Sequence, residues 1–245
     1  MKLSVYFTPH GVAPADFQGR PVLVLDILRA TTTIVAALAN GARAVVPAAT
    51  SEDAIRIAQN LDKHSVLLAG EKRAERIPGF ALGNSPLEMT AAVVASKTVV
   101  MATTNGTPAL TAAAAGAPVV VGAATNFSAA AERVSEAFRA HEALAILCAG
   151  RERLFSLEDA YAAGRFAHAV MAGKRRSVEL NDAALAALDI VRHYGTNWRT
   201  VINASAAAHD LKRLGFHDDI AAASEADTYD IVPVYADSHV TIARG

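Results

Sequence analysis

The sequence predicts an α/β protein in which a largely parallel sheet lies between two layers of helices, a three-layer α/β/α arrangement. Runs such as VLVLD (22–26) and PVVVG (118–122) are apolar on both faces, as expected of strands that helices cover from both sides. These runs alternate along the chain with helical patterns, and Gly, Pro and Asn residues separate the two. With 245 residues, 52% of them hydrophobic, the chain can bury a large core without a disulfide or a metal.

Each element follows from this alternation in chain order. The apolar β-rich runs predict strands near residues 3–7, 22–26, 44–47, 66–69, 98–102, 118–121, 144–148 and 231–235. The segments between them predict helices near residues 31–39, 51–61, 86–95, 107–115, 127–140, 157–171, 181–192, 197–213 and 217–225. Residues 157–226 make the C-terminal part helix-rich and could form a cap or a second packed lobe. Because no repeat or linker marks a boundary, we predict a single domain over residues 1–245.

The composition excludes several classes of partner. The 23 basic and 24 acidic residues nearly cancel, which argues against a nucleic-acid groove and against an anionic membrane surface, so we expect a small-molecule partner. Cys148 is the single cysteine, which excludes an internal disulfide and favours a cytoplasmic protein; at the end of an apolar strand we expect it to pack in the core. The stretch between Lys97 and Glu132 has no charge, but its Gly, Pro and Asn residues exclude a membrane helix.

A polar cluster follows the strand at 22–26. Asp26 closes the strand, and Arg29 and the three threonines at 31–33 begin a helix. Ligands of parallel sheets bind at the carboxyl ends of the strands, where an acid can hold a metal or act as a nucleophile and an arginine can bind phosphate or sulfonate oxygens. The alternative is a local ion pair between Asp26 and Arg29 beside a threonine cap.

Similar clusters follow three other strands. Glu71 follows VLLAG, TTNGT (103–107) follows VVMA, and Gly150 and Arg151 follow LAILCA. Gly106 in TTNGT can take a positive φ and let backbone N–H groups approach an anion, although for this stretch alone a plain Asn-Gly turn is favoured.

Two further groups of polar residues lie outside these strand ends. Asn84 and Ser85 precede Pro86 at a predicted helix start, where they could cap the helix or contact an anion. In the C-terminal part, His209 and His217 lie near three acids, and we expect these groups to be solvated surface rather than metal ligands.

Six motifs in one order carry a resemblance that covers nearly the whole chain: LDILRATTTI, AGEKR, GFALGNSP, TTNGT, CAG followed by EDA, and HDLKRLGFHDDI followed by IVP. Together they resemble the 2-phosphosulfolactate phosphatase family. The resemblance implies an α/β/α fold and magnesium-dependent hydrolysis of 2-phospho-3-sulfolactate to 3-sulfolactate and phosphate, a step on a route to coenzyme M. Two other readings stay open: a magnesium-dependent phosphatase or phosphotransferase for another small phosphorylated acid, and an anion-binding homologue without catalysis. A homodimer is compatible with the sequence.

The resemblance, carried over residue by residue, also implies the site. The expected catalytic residues are Asp26, Arg29 and Glu71; the expected Mg²⁺ ligands are Asp26, Glu71 and either Glu158 or Asp159; the expected substrate contacts are Thr31, Thr32, Asn84, Ser85, Thr104, Asn105, Gly106, Thr107, Gly150 and Arg151. For Glu158 and Asp159 the alternative is the ordinary preference for acids in the first turn of a helix. Lys72 stands where the family has arginine, and a lysine presents a point charge where arginine presents a bidentate fork, so the anion preference at this position can differ from that of the family.

The surroundings of Asp26 decide between two mechanisms. Phosphatases that use an aspartyl nucleophile keep a second acid two residues later, whereas this chain has Leu28 there. We therefore expect Asp26 to bind the metal and water to attack the phosphorus.

Overall fold

In the computed structural model, which describes residues 1–172 and 177–243, the apolar runs form the strands of one mostly parallel sheet, and helices cover both of its faces. The predicted α/β class is confirmed. The strands are β1 (Lys2–Tyr6), β2 (Val22–Leu25), β3 (Ala44–Ala48), β4 (Val66–Lys72), β5 (Glu75–Arg76), β6 (Thr98–Ala102), β7 (Val119–Gly122), β8 (Ala143–Cys148), β9 (Glu179–Leu180), β10 (Pro233–Ala236) and β11 (His239–Ile242).

The helices are α1 (Ala30–Ala39), α2 (Ser51–Gln59), α3 (Ala91–Val94), α4 (Gly106–Ala112), α5 (Phe127–His141), α6 (Leu157–Met171), α7 (Asp182–Tyr194), α8 (Trp198–Ala204), α9 (Ala206–Arg213) and α10 (His217–Ala223). The uncharged stretch after Lys97 forms β6, α4 and β7, as its Gly and Pro residues predict. Within residues 1–172 and 177–243, every helix is too short or too polar to cross a bilayer.

The sheet consists of two parallel groups joined by a hairpin. Its order is β5-β4-β6-β3-β11-β10-β7-β2-β8-β1-β9. Strands β4, β6 and β3 are parallel to one another, and so are β7, β2, β8, β1 and β9. The hairpin β10–β11 pairs antiparallel with β3 through Val240 and Val45, and with β7 through Val234 and Val120. The two groups therefore run in opposite directions along the sheet.

The core shows the three layers. Leu23 of β2 belongs to the same buried cluster as Phe166 of α6, on one face of the sheet. Val24, which points to the other face, belongs to a second cluster with Ile34 of α1 and Leu110 of α4. Alternate residues of a single strand thus pack against helices on opposite sides, which explains why its sequence is apolar throughout.

Helices α1 and α4 lie between the two groups of strands. The cluster that holds Ile34 and Leu110 also contains Val45 of β3 and Val99 of β6, so one face of each group packs against the same pair of helices. Strands in a sheet twist by roughly 20–25° per neighbour, which lets a sheet of this width curve around a central layer. The carboxyl ends of β2 and β6 lie together although their groups run in opposite directions, since a β-carbon on Gly106 would lie 2.7 Å from Asp26 Oδ2.

Two predicted helices are each divided in the structure. The segment 86–95 consists of a short 3₁₀ helix, Pro86–Glu88, and α3, because Thr90 has extended backbone. The segment 197–213 consists of α8 and α9, because Ser205 is extended and its Oγ accepts a hydrogen bond from Ala208 N–H at 3.1 Å. A polar residue that caps the second helix ends the first.

Three strands were not predicted. Strands β5 and β9 have two residues each, too few to show a period of two. Strand β11 follows a tight turn in which Asp237 and Ser238 both have positive φ, a conformation that Asn-Gly would have indicated more clearly.

Candidate active site

A cavity of about 510 Å³ opens where β2, β4, β6 and β8 end. Its lining combines buried acids with four arginines, and it receives side chains from both groups of strands. The polar and charged residues that line it are Asp26, Arg29, Glu71, Arg73, Asn84, Thr104, Asn105, Arg151, Glu152, Glu158, Asp159, Asp210 and Arg213, together with the backbone of Gly150 and Ala74.

The turn after β2 places Asp26 in the cavity wall. Oδ1 of Asp26 accepts a hydrogen bond from Ala30 N–H at 3.2 Å, at the start of α1. Thr31 Oγ1 donates to the Asp26 carbonyl at 2.9 Å and accepts from Asp26 N–H at 3.0 Å, while Thr32 Oγ1 donates to Ile27 O at 2.8 Å. Thr31 and Thr32 therefore hold this turn with hydroxyls committed to backbone, and neither lines the cavity, so the structure does not bring them to the expected substrate position.

Burial dominates the electrostatics of Asp26. Desolvation raises the pKa of its carboxyl to about 7; the hydrogen bond from Ala30 acts in the opposite direction, and the nearby Glu71 and Glu158 raise the pKa further. Among the described residues, no hydrogen bond reaches Oδ2 of Asp26. A buried carboxylate in this setting is stabilised by a cation.

The first turn of α6 supplies the two other buried acids. Asp159 accepts Ile27 N–H at 2.8 Å and Gly150 N–H at 3.1 Å, one on each oxygen, and so ties the end of β2 to the end of β8. Glu158 Oε1 accepts the Ser156 hydroxyl at 2.6 Å, whereas its buried Oε2 has no hydrogen-bond partner.

The pKa values of both acids are raised. For Glu158 the cause is burial, which the Ser156 hydrogen bond partly offsets. For Asp159 it is burial followed by the charges of Glu158 and Asp26, and its pKa lies well above the ordinary range. Cys148 lies beneath this cluster fully buried, which confirms that it packs in the core, and burial followed by Asp159 and Glu158 raises the pKa of its thiol.

Arg29 is buried and makes its ion pair with a residue far along the chain. Its Nη1 lies 2.5 Å from Asp219 Oδ2, its Nη2 donates to Ala74 O at 2.8 Å, and its guanidinium stacks 4.3 Å from the ring centre of Phe216. The ion pair considered from the sequence, with Asp26, is not the one that forms. The expectation that the acids near His217 are solvated was wrong for Asp219, which is 3% exposed.

Glu71 joins two loops of the β3–β4–β6 group. Its Oε2 accepts Ala74 N–H at 2.7 Å, and its Oε1 accepts Thr104 N–H at 2.7 Å. In the hairpin formed by β4 and β5, Arg73 lines the cavity and lies in a tight turn with φ of 54°. Lys72 is exposed and does not line the cavity. The departure from the family pattern at Lys72 therefore lies away from the cavity.

The TTNGT turn caps α4 and fits closely against α1. Thr103 Oγ1 accepts Thr107 N–H at 3.0 Å, and Thr107 Oγ1 accepts Thr103 N–H at 3.1 Å. Gly106 does not adopt the positive φ that glycine permits; a β-carbon there would lie 2.3 Å from Ala30 Cβ and 2.7 Å from Asp26 Oδ2, so the position needs glycine for space. Gly106 and Thr107 are packed below the cavity surface.

Thr104 and Asn105 do line the cavity, and so does Asn84. Asn105 Oδ1 accepts Glu152 N–H at 3.2 Å, which connects this turn to the loop after β8. Asn84 Oδ1 is buried without a hydrogen-bond partner. The neighbouring Ser85 lies outside the lining and donates instead to Asp219 Oδ1 at 2.6 Å.

The loop after β8 brings Gly150 and Arg151 to the cavity as predicted. Gly150 has φ of 65°, and a β-carbon there would lie 2.4 Å from Leu154 O, so both conformation and space require glycine. Arg151 forms an ion pair with Asp210, which also pairs with Arg213.

The donor set can be tested against the expected Mg²⁺. Within the described residues, no three His, Cys, Asp or Glu side chains already stand in a ligating arrangement. However, Glu158 Oε2 and Asn84 Oδ1 are buried oxygens without partners, and Asp26 has one oxygen without a hydrogen bond. These are hard oxygen donors of the kind that Mg²⁺ prefers, so the residues fit the ion. Glu71 and Asp159, whose oxygens each accept a backbone N–H, hold loops in place.

Five site residues escaped prediction: Arg73, Glu152, Asp210, Arg213 and Asp219. Arg73 and Glu152 lie in the loops that follow β4 and β8, beside predicted residues. Asp210, Arg213 and Asp219 follow no strand, and their only sequence signal was their place in the motif HDLKRLGFHDDI. Their positions on α9 and α10 bring the helical C-terminal part to the cavity.

Comparisons with known proteins identify the family of the chain. A family model described as 2-phosphosulpholactate phosphatase matches residues 6–238. A protein of Symbiobacterium thermophilum, named a probable 2-phosphosulfolactate phosphatase, is 39% identical over 94% of this chain and 98% of its own length. Proteins of the same name are 35% identical in Caldanaerobacter subterraneus subsp. tengcongensis, over 95% of each chain, and 31% identical in Nostoc punctiforme, over 98% of each chain. The resemblance carried by the six motifs is thus confirmed, and the chain belongs to the 2-phosphosulfolactate phosphatase family.

Proposed function

We propose that this protein is a Mg²⁺-dependent phosphatase that hydrolyses 2-phospho-3-sulfolactate to 3-sulfolactate and phosphate, in the cytoplasm and on a route to coenzyme M. The observation that carries the proposal is the division of the cavity: buried acids with unpartnered oxygens form one part, and arginines line the rest. The names of the relatives supply the substrate.

The acidic part supports the metal. Asp26, Glu158 and Asn84 would hold Mg²⁺, since each has one side-chain oxygen without a hydrogen-bond partner and burial disfavours two uncompensated carboxylates. When bound, the ion supplies Lewis-acid stabilisation of charge on the phosphoryl oxygens. Asp159 positions the ends of β2 and β8 around it through its two backbone hydrogen bonds.

The arginines support a substrate with several anionic groups. Arg29 is fixed by Asp219, Ala74 and Phe216, so its guanidinium is held in one orientation before substrate arrives. A donor held in this way stabilises developing negative charge without reorganising. Arg73 has no hydrogen-bond or ion-pair partner among the described residues and is free to bind an anion.

Phosphate release tests the proposal. The protein, stripped with excess EDTA, is assayed with 2-phospho-3-sulfolactate, 2-phospholactate and phosphoglycolate, each with and without added Mg²⁺. We expect release only with Mg²⁺ and the highest kcat/KM for 2-phospho-3-sulfolactate. Full activity in EDTA refutes the metal, preference for another substrate replaces the sulfolactate assignment, and no release from any of the three favours an anion-binding homologue.

A matched pair of variants tests the metal ligands. Glu158→Gln keeps the shape of the side chain but removes the charge, so Mg²⁺ affinity measured by calorimetry should fall by about tenfold or more. Glu132→Gln makes the same change on the exposed surface of α5 and should leave affinity unchanged. Equal affinities in the two variants would remove Glu158 from the metal site.

A further inference from the structure

Two arginines at the cavity converge on a single carboxylate. Arg151 comes from the loop after β8, and Arg213 ends α9. Their Nη2 atoms bond different oxygens of Asp210, Oδ2 and Oδ1 respectively, and all three residues line the cavity. Two guanidinium groups that converge in this way form an anion-binding site, and in the free protein the bound anion is the carboxylate of Asp210.

This occupant can be exchanged. The side chains of Arg151, Arg213 and Asp210 are 37%, 78% and 28% exposed, and water competes strongly with ion pairs of such exposure, so they contribute little net stability. Partial burial acts to raise the pKa of Asp210, but the hydrogen bonds and charges of Arg213 and Arg151 outweigh it and hold the pKa below its ordinary range. Asp210 is therefore an anion at neutral pH.

Arg29 differs from Arg151 and Arg213 in its burial and in the burial of its partner. It is 3% exposed, pairs with the equally buried Asp219, and stacks on Phe216. Separating that pair would leave a buried charge uncompensated, which is costly. An incoming anion can displace Asp210 much more readily than it can displace Asp219.

The chemistry of the substrate selects the anion that arrives. Besides its phosphate, 2-phospho-3-sulfolactate carries a carboxylate and a sulfonate. Mg²⁺ prefers phosphate and carboxylate oxygens. The sulfonate, with three acceptor oxygens and weak affinity for the metal, suits two converging guanidinium groups.

We propose that Arg151 and Arg213 form the subsite for the substrate's sulfonate, and that Asp210 occupies this subsite in the free protein and yields it when substrate binds. The inference rests on the proposed function. It makes Arg151 and Arg213 specificity-determining residues, and it makes Asp210 a competitor that substrate must displace.

Binding of the dephosphorylated product tests the subsite without turnover. Calorimetry with 3-sulfolactate and with lactate compares molecules that differ in the sulfonate. Arg213→Gln and Arg151→Gln should each weaken 3-sulfolactate binding by about tenfold and leave lactate unchanged. Asp210→Asn should strengthen 3-sulfolactate binding severalfold, since the competing charge is gone.

The pair Asp189 and Arg192 supplies a matched control, because it has the same spacing on the exposed side of α7 and lies outside the cavity lining. Asp189→Asn and Arg192→Gln should change neither ligand's binding. Weaker binding of 3-sulfolactate to Asp210→Asn, or equal losses for both ligands in Arg213→Gln, overturns the proposal.

Kinetics separate the subsite from the reaction. In the two arginine variants, KM should rise for 2-phospho-3-sulfolactate and stay constant for 2-phospholactate, with kcat little changed for either. Turnover with no difference between the substrates rejects the subsite and keeps the phosphatase. Selective 3-sulfolactate binding without turnover keeps the subsite and rejects the phosphatase.

Discussion

Raising the pH of the metal-free protein from about 6 to about 8 should destabilise the fold through Asp26. Burial raises the pKa of this carboxyl from 3.8 to about 7 in the folded state. The folded protein therefore retains a proton that the unfolded chain has already released. Stability is fully present below the unfolded pKa and is lost as the pH rises through the folded one.

The size of the effect follows from the same two pKa values. At about pH 6 the folded carboxyl is mostly protonated, and at about pH 8 it is mostly ionised, while the unfolded carboxyl is ionised throughout. Across these two pH units the folded state binds on average about half a proton more than the unfolded state. Integrated over the range, this difference lowers the free energy of unfolding by about 1.4 kcal/mol. For a chain of this size, that is a fall of roughly 3–6 °C in Tm.

Differential scanning fluorimetry in excess EDTA measures the fall. Burial also raises the pKa values of Glu158 and Asp159, so the informative quantity is the difference between the protein and Asp26→Asn, in which the carboxyl is absent. We expect the variant to lose less Tm between the two pH values. An identical loss in both proteins would show that Asp26 does not hold its proton in the fold, and would remove the argument that a cation is needed beside it.

Four further predictions concern the site and the residues packed around it. Gly106→Ala should destabilise the protein by about 1–3 kcal/mol in urea unfolding, because its β-carbon would overlap α1. Asp219→Asn should cost about 3–5 kcal/mol by stranding the charge of Arg29, whereas its exposed neighbour Asp218→Asn should cost under about 0.5; equal costs would contradict the buried pair. Arg29→Ala should reduce turnover by about a hundredfold, with poor rescue by lysine, and rapid quench should trap no phosphoenzyme if Asp26 binds metal; a trapped acyl phosphate would make Asp26 the nucleophile.

The strand ends of the site could be predicted from the sequence because each is local. An apolar run followed by a polar residue identifies both the strand and its end, which is how Asp26, Glu71, Thr104 and Gly150 were found. These residues all line the cavity.

The use of each side chain could not be predicted in the same way. Asp159 accepts a hydrogen bond from Ile27 N–H and Glu71 accepts one from Thr104 N–H, and only the packed structure shows that these distant loops approach the two acids. Arg29 pairs with Asp219 across nearly the whole chain for the same reason. Thr31 is different, since its hydroxyl bonds within its own turn, a local pattern that could have been recognised.

The hairpin β10–β11 sets the order in which the sheet can be completed during synthesis. It lies at the middle of the sheet yet comes after every other strand in the chain, so β3 and β7 have no partner on their inner sides until residues 233–242 have left the ribosome. Val45 of β3 can pair with Val240 of β11 only after nearly the whole chain has been made, and strand pairings of such long range form slowly. Until then, two parallel edges stay open to neighbouring chains. A shortened chain that stops before residue 233 would keep both edges, and we expect it to aggregate rather than to survive as two half-sheets.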